Sequence, residues 1–91
     1  MTIDELYAII LDRQENPSEL SYTSSLFLEG LPHIAQKVGE EGTEVVVAAL
    51  SQDNARLVEE IADLTFHVLV LMALKGIKSR DIMYELERRK R

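Results

Sequence analysis

The chain has 91 residues, of which 46% are hydrophobic, and it carries a formal net charge of −6 at pH 7 without any cysteine. This length predicts one domain over residues 1–91, and the lack of cysteine excludes disulfides and thiolate zinc sites. The negative charge argues against nucleic acid or an anionic membrane as the main partner.

The first predicted helix begins after Thr2, which can form a capping box with Glu5. Its apolar positions are Ile3, Leu6, Ile9 and Ile10. The helix should end before Pro17, because proline disfavours the helical conformation of the residue that precedes it. The following segment SYTSSLFLEG, residues 21–30, predicts a loop that leads into a short helix ending at Gly30.

A long helix is predicted from Pro32, because proline is well tolerated in a first helical turn. Its apolar stripe is Ile34, Val38, Val45 and Ala49. The valines at 45–47 are compatible with a strand, but the flanking Glu and Ala residues favour a helix. Gly42 lies beside the stripe, where a small residue would let another helix approach closely.

Another long helix is predicted between Asp53, a suitable N-cap, and Gly76. Its apolar stripe is Leu57, Ile61, Leu64, Val68 and Leu71. The second half is apolar nearly all round, so this helix should be the central one. Ser79 is expected to cap a final helix. The pattern as a whole predicts an all-α bundle of four to five helices.

The longest apolar run, residues 61–74, contains Asp63 and is shorter than the roughly 20 residues that a membrane helix needs. The chain also begins without a basic segment of the kind that precedes a secretory signal. We therefore expect a cytoplasmic protein that does not enter membranes. Because a chain of this size buries only a modest core, its apolar content favours a homodimer or a higher homo-oligomer.

Two acidic clusters carry the functional signal. Glu41 and Glu44 are three residues apart on one predicted helix, and Glu60 and Asp63 have the same spacing on the next. A short turn makes these helices antiparallel neighbours, so four carboxylates can meet between them. Their mutual repulsion is relieved by a hard divalent cation such as Mg²⁺. Acidic pairs are also common on solvated faces, so the spacing alone leaves both interpretations open.

The segments KVGEEGTEVVVAAL and LVEEIADLTFHVLVLMALKGI resemble the all-α MazG-like superfamily of nucleoside triphosphate pyrophosphatases. Together with SYTSSL, they are similar more specifically to the phosphoribosyl-ATP pyrophosphatase family. The resemblance implies a MazG-like bundle completed by dimerisation, with Mg²⁺ bound by the catalytic carboxylates Glu41, Glu44, Glu60 and Asp63. It also implies hydrolysis of phosphoribosyl-ATP to phosphoribosyl-AMP and pyrophosphate, the second step of histidine biosynthesis.

The same resemblance favours substrate contacts for Ser21, Tyr22 and Thr23, which alternatively form a turn and a helix cap. Lys37 is expected to contact a substrate phosphate, although it can instead pair with Glu41. We interpret His67 as a hydrogen-bonded histidine of the core or beside the metal ligands, because Mg²⁺ prefers oxygen ligands.

Two other functions fit parts of the pattern. A house-cleaning pyrophosphatase acting on aberrant (d)NTPs would use the same carboxylates, but SYTSSL argues against it. A non-catalytic helical adaptor would dimerise through residues 61–74 and would carry the carboxylates only as surface charge. The response of Mg²⁺-dependent turnover to substitution of Glu44 or Asp63 distinguishes an enzyme from an adaptor.

Overall fold

The computed structural model describes residues 1–90, and every regular element in this range is an α-helix. The helices are α1 (Ile3–Glu15), α2 (Tyr22–Glu29), α3 (Leu31–Ser51), α4 (Asn54–Lys75) and α5 (Ser79–Arg88). This architecture confirms the predicted all-α fold. The valines at 45–47 lie within α3, so the choice of helix over strand is also confirmed.

The first two helices begin with side-chain caps. The Thr2 hydroxyl accepts a hydrogen bond from the backbone N–H of Glu5 at 3.1 Å, as the sequence predicts. The Ser21 hydroxyl likewise accepts from the backbone N–H of Ser24 at 3.1 Å, so α2 begins at Tyr22. The predicted short helix ending at Gly30 and the helix-cap alternative for Ser21 are therefore confirmed, and the helix already includes Tyr22 and Thr23 in its first turn.

Two glycines separate the later helices. Gly30 has φ 90° between α2 and α3, and Gly76 has φ 72° at the end of α4. These left-handed values favour glycine because a Cβ atom would be strained there. Both predicted helix ends are confirmed. Pro32 lies in the first turn of α3, also as predicted.

The core forms around α4, which contacts α1, α2 and α3. This confirms its predicted central position. Its buried cluster consists of Tyr7, Ile10, Leu26, Ile34, Leu69, Val70, Met72 and Ala73. Two details of the predicted stripes were wrong. Ile61 is 46% exposed, and Ala48 rather than Ala49 is buried, because the core-facing line of α3 runs through positions 34, 41 and 48.

The last helix is attached by a few polar contacts, and no residue of 79–88 is buried. The Tyr7 hydroxyl donates to the backbone carbonyl of Ile77 at 2.5 Å, and the Ser79 hydroxyl donates to Asp4 at 2.6 Å. The N-cap position is occupied by Lys78, not by Ser79 as predicted. The Asp81 carboxylate accepts a hydrogen bond from the Lys78 backbone N–H at 2.8 Å, so this donor at the start of α5 has a partner.

None of the helices in residues 1–90 combines the length and the apolar character that crossing a membrane requires.

Candidate metal centre

The centre lies between α3 and α4, which make the most extensive contact of any two described helices. The short turn after Ser51 makes them antiparallel neighbours. Glu41 comes from the middle of α3, and Glu60 and Asp63 come from consecutive turns of α4. One carboxylate oxygen from each of these three residues lies within 4.8 Å of the other two. The structure thus brings together three of the four predicted ligands.

Two of these carboxylates are buried. Glu41 is 6% exposed and Glu60 is 7% exposed, whereas Asp63 is exposed. The Oε2 atoms of Glu41 and Glu60 are both buried and have no hydrogen-bond partner in the described part of the chain. Leaving a buried charged oxygen unsatisfied costs more than the roughly 1–3 kcal/mol typical of a neutral group. Such atoms are candidates for binding something outside the polypeptide.

Each buried carboxylate has one oxygen beside a cation. Nζ of Lys37 lies 3.4 Å from Oε1 of Glu41. Nη2 of Arg56 donates to Oε1 of Glu60 at 2.7 Å, and the same guanidinium also binds Glu59. Sequence reasoning did not identify Arg56 as a partner of Glu60, although their spacing of four residues on a helix was the available signal. These cations leave the two Oε2 atoms without a partner.

Lys37 stays charged well above neutral pH. Burial of its ammonium group lowers its pKa, but the charge of Tyr22 in its ionised form, the hydrogen bond to Glu41 and the charges of Glu41 and Glu40 together raise it by more. The pKa of Lys37 therefore lies above its ordinary value of 10.5. A permanent positive charge at the edge of a carboxylate cluster suits contact with phosphate oxygens.

Glu44, the fourth predicted ligand, is exposed and lies outside the three-carboxylate cluster. It lines a neighbouring cavity of about 280 Å³ together with Val47, Gln52, Arg56 and Glu60. Glu60 thus borders both the cluster and this cavity. Glu44 is therefore close to the centre, on the side of the cavity.

The SYT segment approaches the same centre from α2. The Tyr22 hydroxyl lies 3.1 Å from Nε2 of His67, and Nδ1 of His67 lies 2.7 Å from the backbone carbonyl oxygen of Asp63. Ser21 uses its hydroxyl as the α2 cap, and Thr23 is half-buried in the first turn. Of the three residues, Tyr22 has the contact that links α2 to the cluster.

The donor set fits a hard cation. Three carboxylates offer oxygen ligands only, which Mg²⁺ prefers, and no softer thiolate is present in the sequence. Two partnerless buried oxygens supply the negative charge that such an ion would neutralise. His67 is unsuited as a ligand, because both of its ring nitrogens already have partners. The arrangement can therefore bind a divalent cation beside a lysine that suits phosphate.

Comparison with known proteins identifies the family. The model of the phosphoribosyl-ATP pyrophosphohydrolase family matches residues 3–90. The phosphoribosyl-ATP pyrophosphatase of Sulfurisphaera tokodaii is 54% identical over 96% of this chain and 93% of the relative. The enzymes of the same name from Saccharolobus solfataricus and Clostridium botulinum are 51% and 52% identical, over 98% and 97% of this chain and 95% and 80% of those proteins. The chain belongs to the phosphoribosyl-ATP pyrophosphohydrolase family.

Proposed function

We propose that this chain hydrolyses phosphoribosyl-ATP to phosphoribosyl-AMP and pyrophosphate, in histidine biosynthesis, and that it requires Mg²⁺. The observation that carries this proposal is the pair of buried, partnerless oxygens of Glu41 and Glu60 within 4.8 Å of an Asp63 oxygen. Family membership over residues 3–90 supports the substrate and a single-domain organisation. The carboxylate cluster supports the metal.

Glu41, Glu60 and Asp63 would hold the cation, and Glu44 would complete the set from the adjacent cavity. When bound, Mg²⁺ supplies positive charge that neutralises phosphate oxygens and makes water more acidic. Pairing with a cation would also satisfy the two buried Oε2 atoms. A bound metal would thereby contribute to the stability of the α3–α4 pair as well as to the reaction.

The side chains around the cluster have different roles in the reaction. Lys37 contacts phosphate oxygens with a charge that its raised pKa preserves. The attacking water loses its proton to a carboxylate of the centre as its oxygen bonds to the α-phosphorus. The bond from this phosphorus to the bridging oxygen breaks, and pyrophosphate leaves. Tyr22 lies on the side from which α2 approaches, and Ser21 and Thr23 would contact the substrate from the same first turn of this helix.

The active form is a homodimer or a higher homo-oligomer. The α3–α4 pair exposes large apolar side chains, including Leu50 at 82% and Val58 at 66%. The others on this pair are Leu31, Val46, Val47 and Ile61. A second copy of the chain would cover these side chains and extend the small core.

The test is release of pyrophosphate from phosphoribosyl-ATP, with ATP and the dNTPs alongside, in the presence and absence of Mg²⁺. Turnover of phosphoribosyl-ATP alone, only with Mg²⁺, is the expected result. Preferential turnover of dNTPs would indicate a house-cleaning pyrophosphatase at the same centre. A folded chain that turns over none of these substrates with Mg²⁺ present would support the adaptor function instead.

A further inference from the structure

The contacts of His67 determine the direction of two hydrogen bonds. Its Nδ1 atom lies 2.7 Å from the carbonyl oxygen of Asp63. A carbonyl oxygen only accepts, so Nδ1 carries a proton and donates. In a neutral imidazole the second nitrogen is then an acceptor. The Tyr22 hydroxyl, 3.1 Å from that Nε2 atom, therefore donates its proton to His67.

This direction limits what Tyr22 can offer to a ligand. A phenol has a single O–H proton, and here it is directed towards His67. The Tyr22 oxygen then presents only lone pairs to the site. Phosphate oxygens also act as acceptors, so Tyr22 and a phosphate would repel each other. The hydroxyl groups of a ribose and the amine of a purine are donors and match the free lone pairs of Tyr22.

The ring of Tyr22 is held by its surroundings while much of it stays accessible. Tyr22 is 54% exposed, and its ring stacks on Phe66 with centroids 6.2 Å apart. The His67 ring meets Phe66 edge-on at 5.1 Å and is itself 5% exposed. An accessible aromatic ring supported by a packed core is a surface on which a nucleobase can stack.

We propose that Tyr22 and His67 form a positioning pair that recognises the nucleoside part of the substrate. Nε2 of His67 accepts the hydrogen bond from the Tyr22 hydroxyl. Tyr22 then presents its oxygen lone pairs and its ring to the ribose or the base and not to a phosphate. The identity of the ligand rests on the function proposed above. His67 is a positioning residue, because it acts through Tyr22. Lys37, on the neighbouring helix, is left to contact the phosphates.

The hydrogen-bond direction can be measured without any substrate. The chain has two histidines, and the second one, His33, pairs with Glu29 at 3.1 Å. Nitrogen-15 NMR of histidine-labelled protein, with His67→Asn to assign the signals, reports which ring nitrogens carry protons. We expect His67 to be protonated on Nδ1 and not on Nε2 at mildly alkaline pH. A proton on Nε2, in either the neutral or the charged ring, overturns the proposal.

The ligand is tested by calorimetric binding of two separate products, phosphoribosyl-AMP and pyrophosphate, in Mg²⁺. Tyr22→Phe and His67→Asn should each weaken the binding of phosphoribosyl-AMP about five- to tenfold, which is the effect of losing one hydrogen bond. The affinity for pyrophosphate should stay within about twofold of the wild-type value. His67→Asn can retain a donor to the Asp63 carbonyl, which protects the fold. His33→Asn is the matched control and should change neither affinity.

Steady-state kinetics separate positioning from general loss of structure. In both variants KM for phosphoribosyl-ATP should rise by a larger factor than kcat falls, and the double variant should be no worse than either single one. The proposal would be overturned if pyrophosphate binding weakened as much as phosphoribosyl-AMP binding, or if the losses of the two single variants added up in the double variant. If the wild type bound neither product, the nucleoside assignment and the proposed function would fail together. The NMR result would still show whether the pair exists.

Discussion

Glu41 on α3 and Glu60 on α4 each bury one carboxylate oxygen that has no hydrogen-bond partner among residues 1–90. Their other oxygens are beside Lys37 and Arg56. Two buried carboxylates with matching free oxygens are destabilising in isolation, because each charge lacks part of its solvation. Under the proposed function a bound cation would relieve this cost, and the first two predictions follow from that proposal.

Glu41→Gln should abolish activity but stabilise the metal-free fold. The amide removes one buried charge, so the free energy of unfolding in EDTA should rise by about 1 kcal/mol. Hydrolysis of phosphoribosyl-ATP should fall more than about 100-fold, because a metal ligand is lost. Denaturant unfolding in EDTA and pyrophosphate release measure the two effects. Glu40→Gln, an exposed neighbour on the same helix, is the control and should retain activity. A stability loss in Glu41→Gln without metal would contradict this prediction.

Mg²⁺ should stabilise the wild type against heat, by an amount that rises with the logarithm of its concentration above its Kd. At one hundred times its Kd the gain is about 2.7 kcal/mol. Asp63→Asn should remove most of this gain. Asp53→Asn is an informative control, since Asp53 caps α4 by accepting from the Arg56 backbone N–H at 2.9 Å. Asparagine caps a helix about as well as aspartate, so this variant should change the melting temperature little and should keep the full Mg²⁺ increment. Equal increments in Asp63→Asn and the wild type would rule out Asp63 as a ligand.

Lys37→Met should weaken the binding of pyrophosphate by about tenfold, since a charge-assisted hydrogen bond is lost. Because the pKa of Lys37 is raised, its folded-state ion pair is fully present below pH 10.5 and is lost only as pH rises through the higher folded value. Pyrophosphate affinity should therefore show no loss attributable to Lys37 between neutral pH and about 10. Calorimetric titration over that range is the measurement. Lys75→Met, exposed at the end of α4, serves as the control.

Leu50→Asp should shift the chain towards monomer. Leu50 is 82% exposed on α3, and burying a charge in a shared apolar face would raise the dissociation constant by more than about tenfold. Light scattering over a concentration series gives the mass. Leu20, 98% exposed between α1 and α2, provides the matched control, and Leu20→Asp should leave the mass unchanged. A wild type that is monomeric at all concentrations would refute the proposed assembly.

Tyr7→Phe should destabilise the attachment of α5. The Ile77 carbonyl would lose its donor, which costs about 1 kcal/mol at neutral pH. Burial, and secondly the charge of Asp81, raises the pKa of Tyr7 above 10.0. Above pH 10.0 Tyr7 therefore ionises more readily in the unfolded chain than in the folded one. The free energy of unfolding then falls as the pH rises towards the pKa of Tyr7 in the folded state.

The variant should lack this alkaline loss. Urea unfolding at neutral pH and above pH 10 tests both points. Tyr84→Phe is the control, because Tyr84 is 75% exposed and should change little at either pH. The same alkaline loss of stability in Tyr7→Phe as in the wild type would show that another group is responsible.

Helix identity and most helix ends could be predicted from the sequence, because they depend on residues close in the chain. Thr2, Gly30, Pro32 and Gly76 act within one turn of their own positions. The predicted stripes were less accurate. Whether Ala48 or Ala49 is buried depends on the rotation of α3 against α4, and residues three or four apart permit neighbouring choices.

The same rotation separates the predicted ligands. The spacing E-x-x-E places Glu41 and Glu44 on one side of α3, but a helix rotates about 100° per residue, so positions three apart differ in direction by about 60°. Packing against α4 directs Glu41 into the α3–α4 interface and leaves Glu44 exposed at the adjacent cavity. Burial of single oxygens is likewise a property of the packed pair of helices.

The sequence by itself determined the all-α fold, the two acidic clusters on consecutive helices and the family, because these depend on periodicity and on residue identity along the chain. Only the tertiary structure decided which carboxylates meet, which oxygens lack partners and that Tyr22 contacts His67, 45 positions away. The physical reason is that helix rotation and side-chain direction are set by packing between elements, which local sequence patterns constrain only loosely.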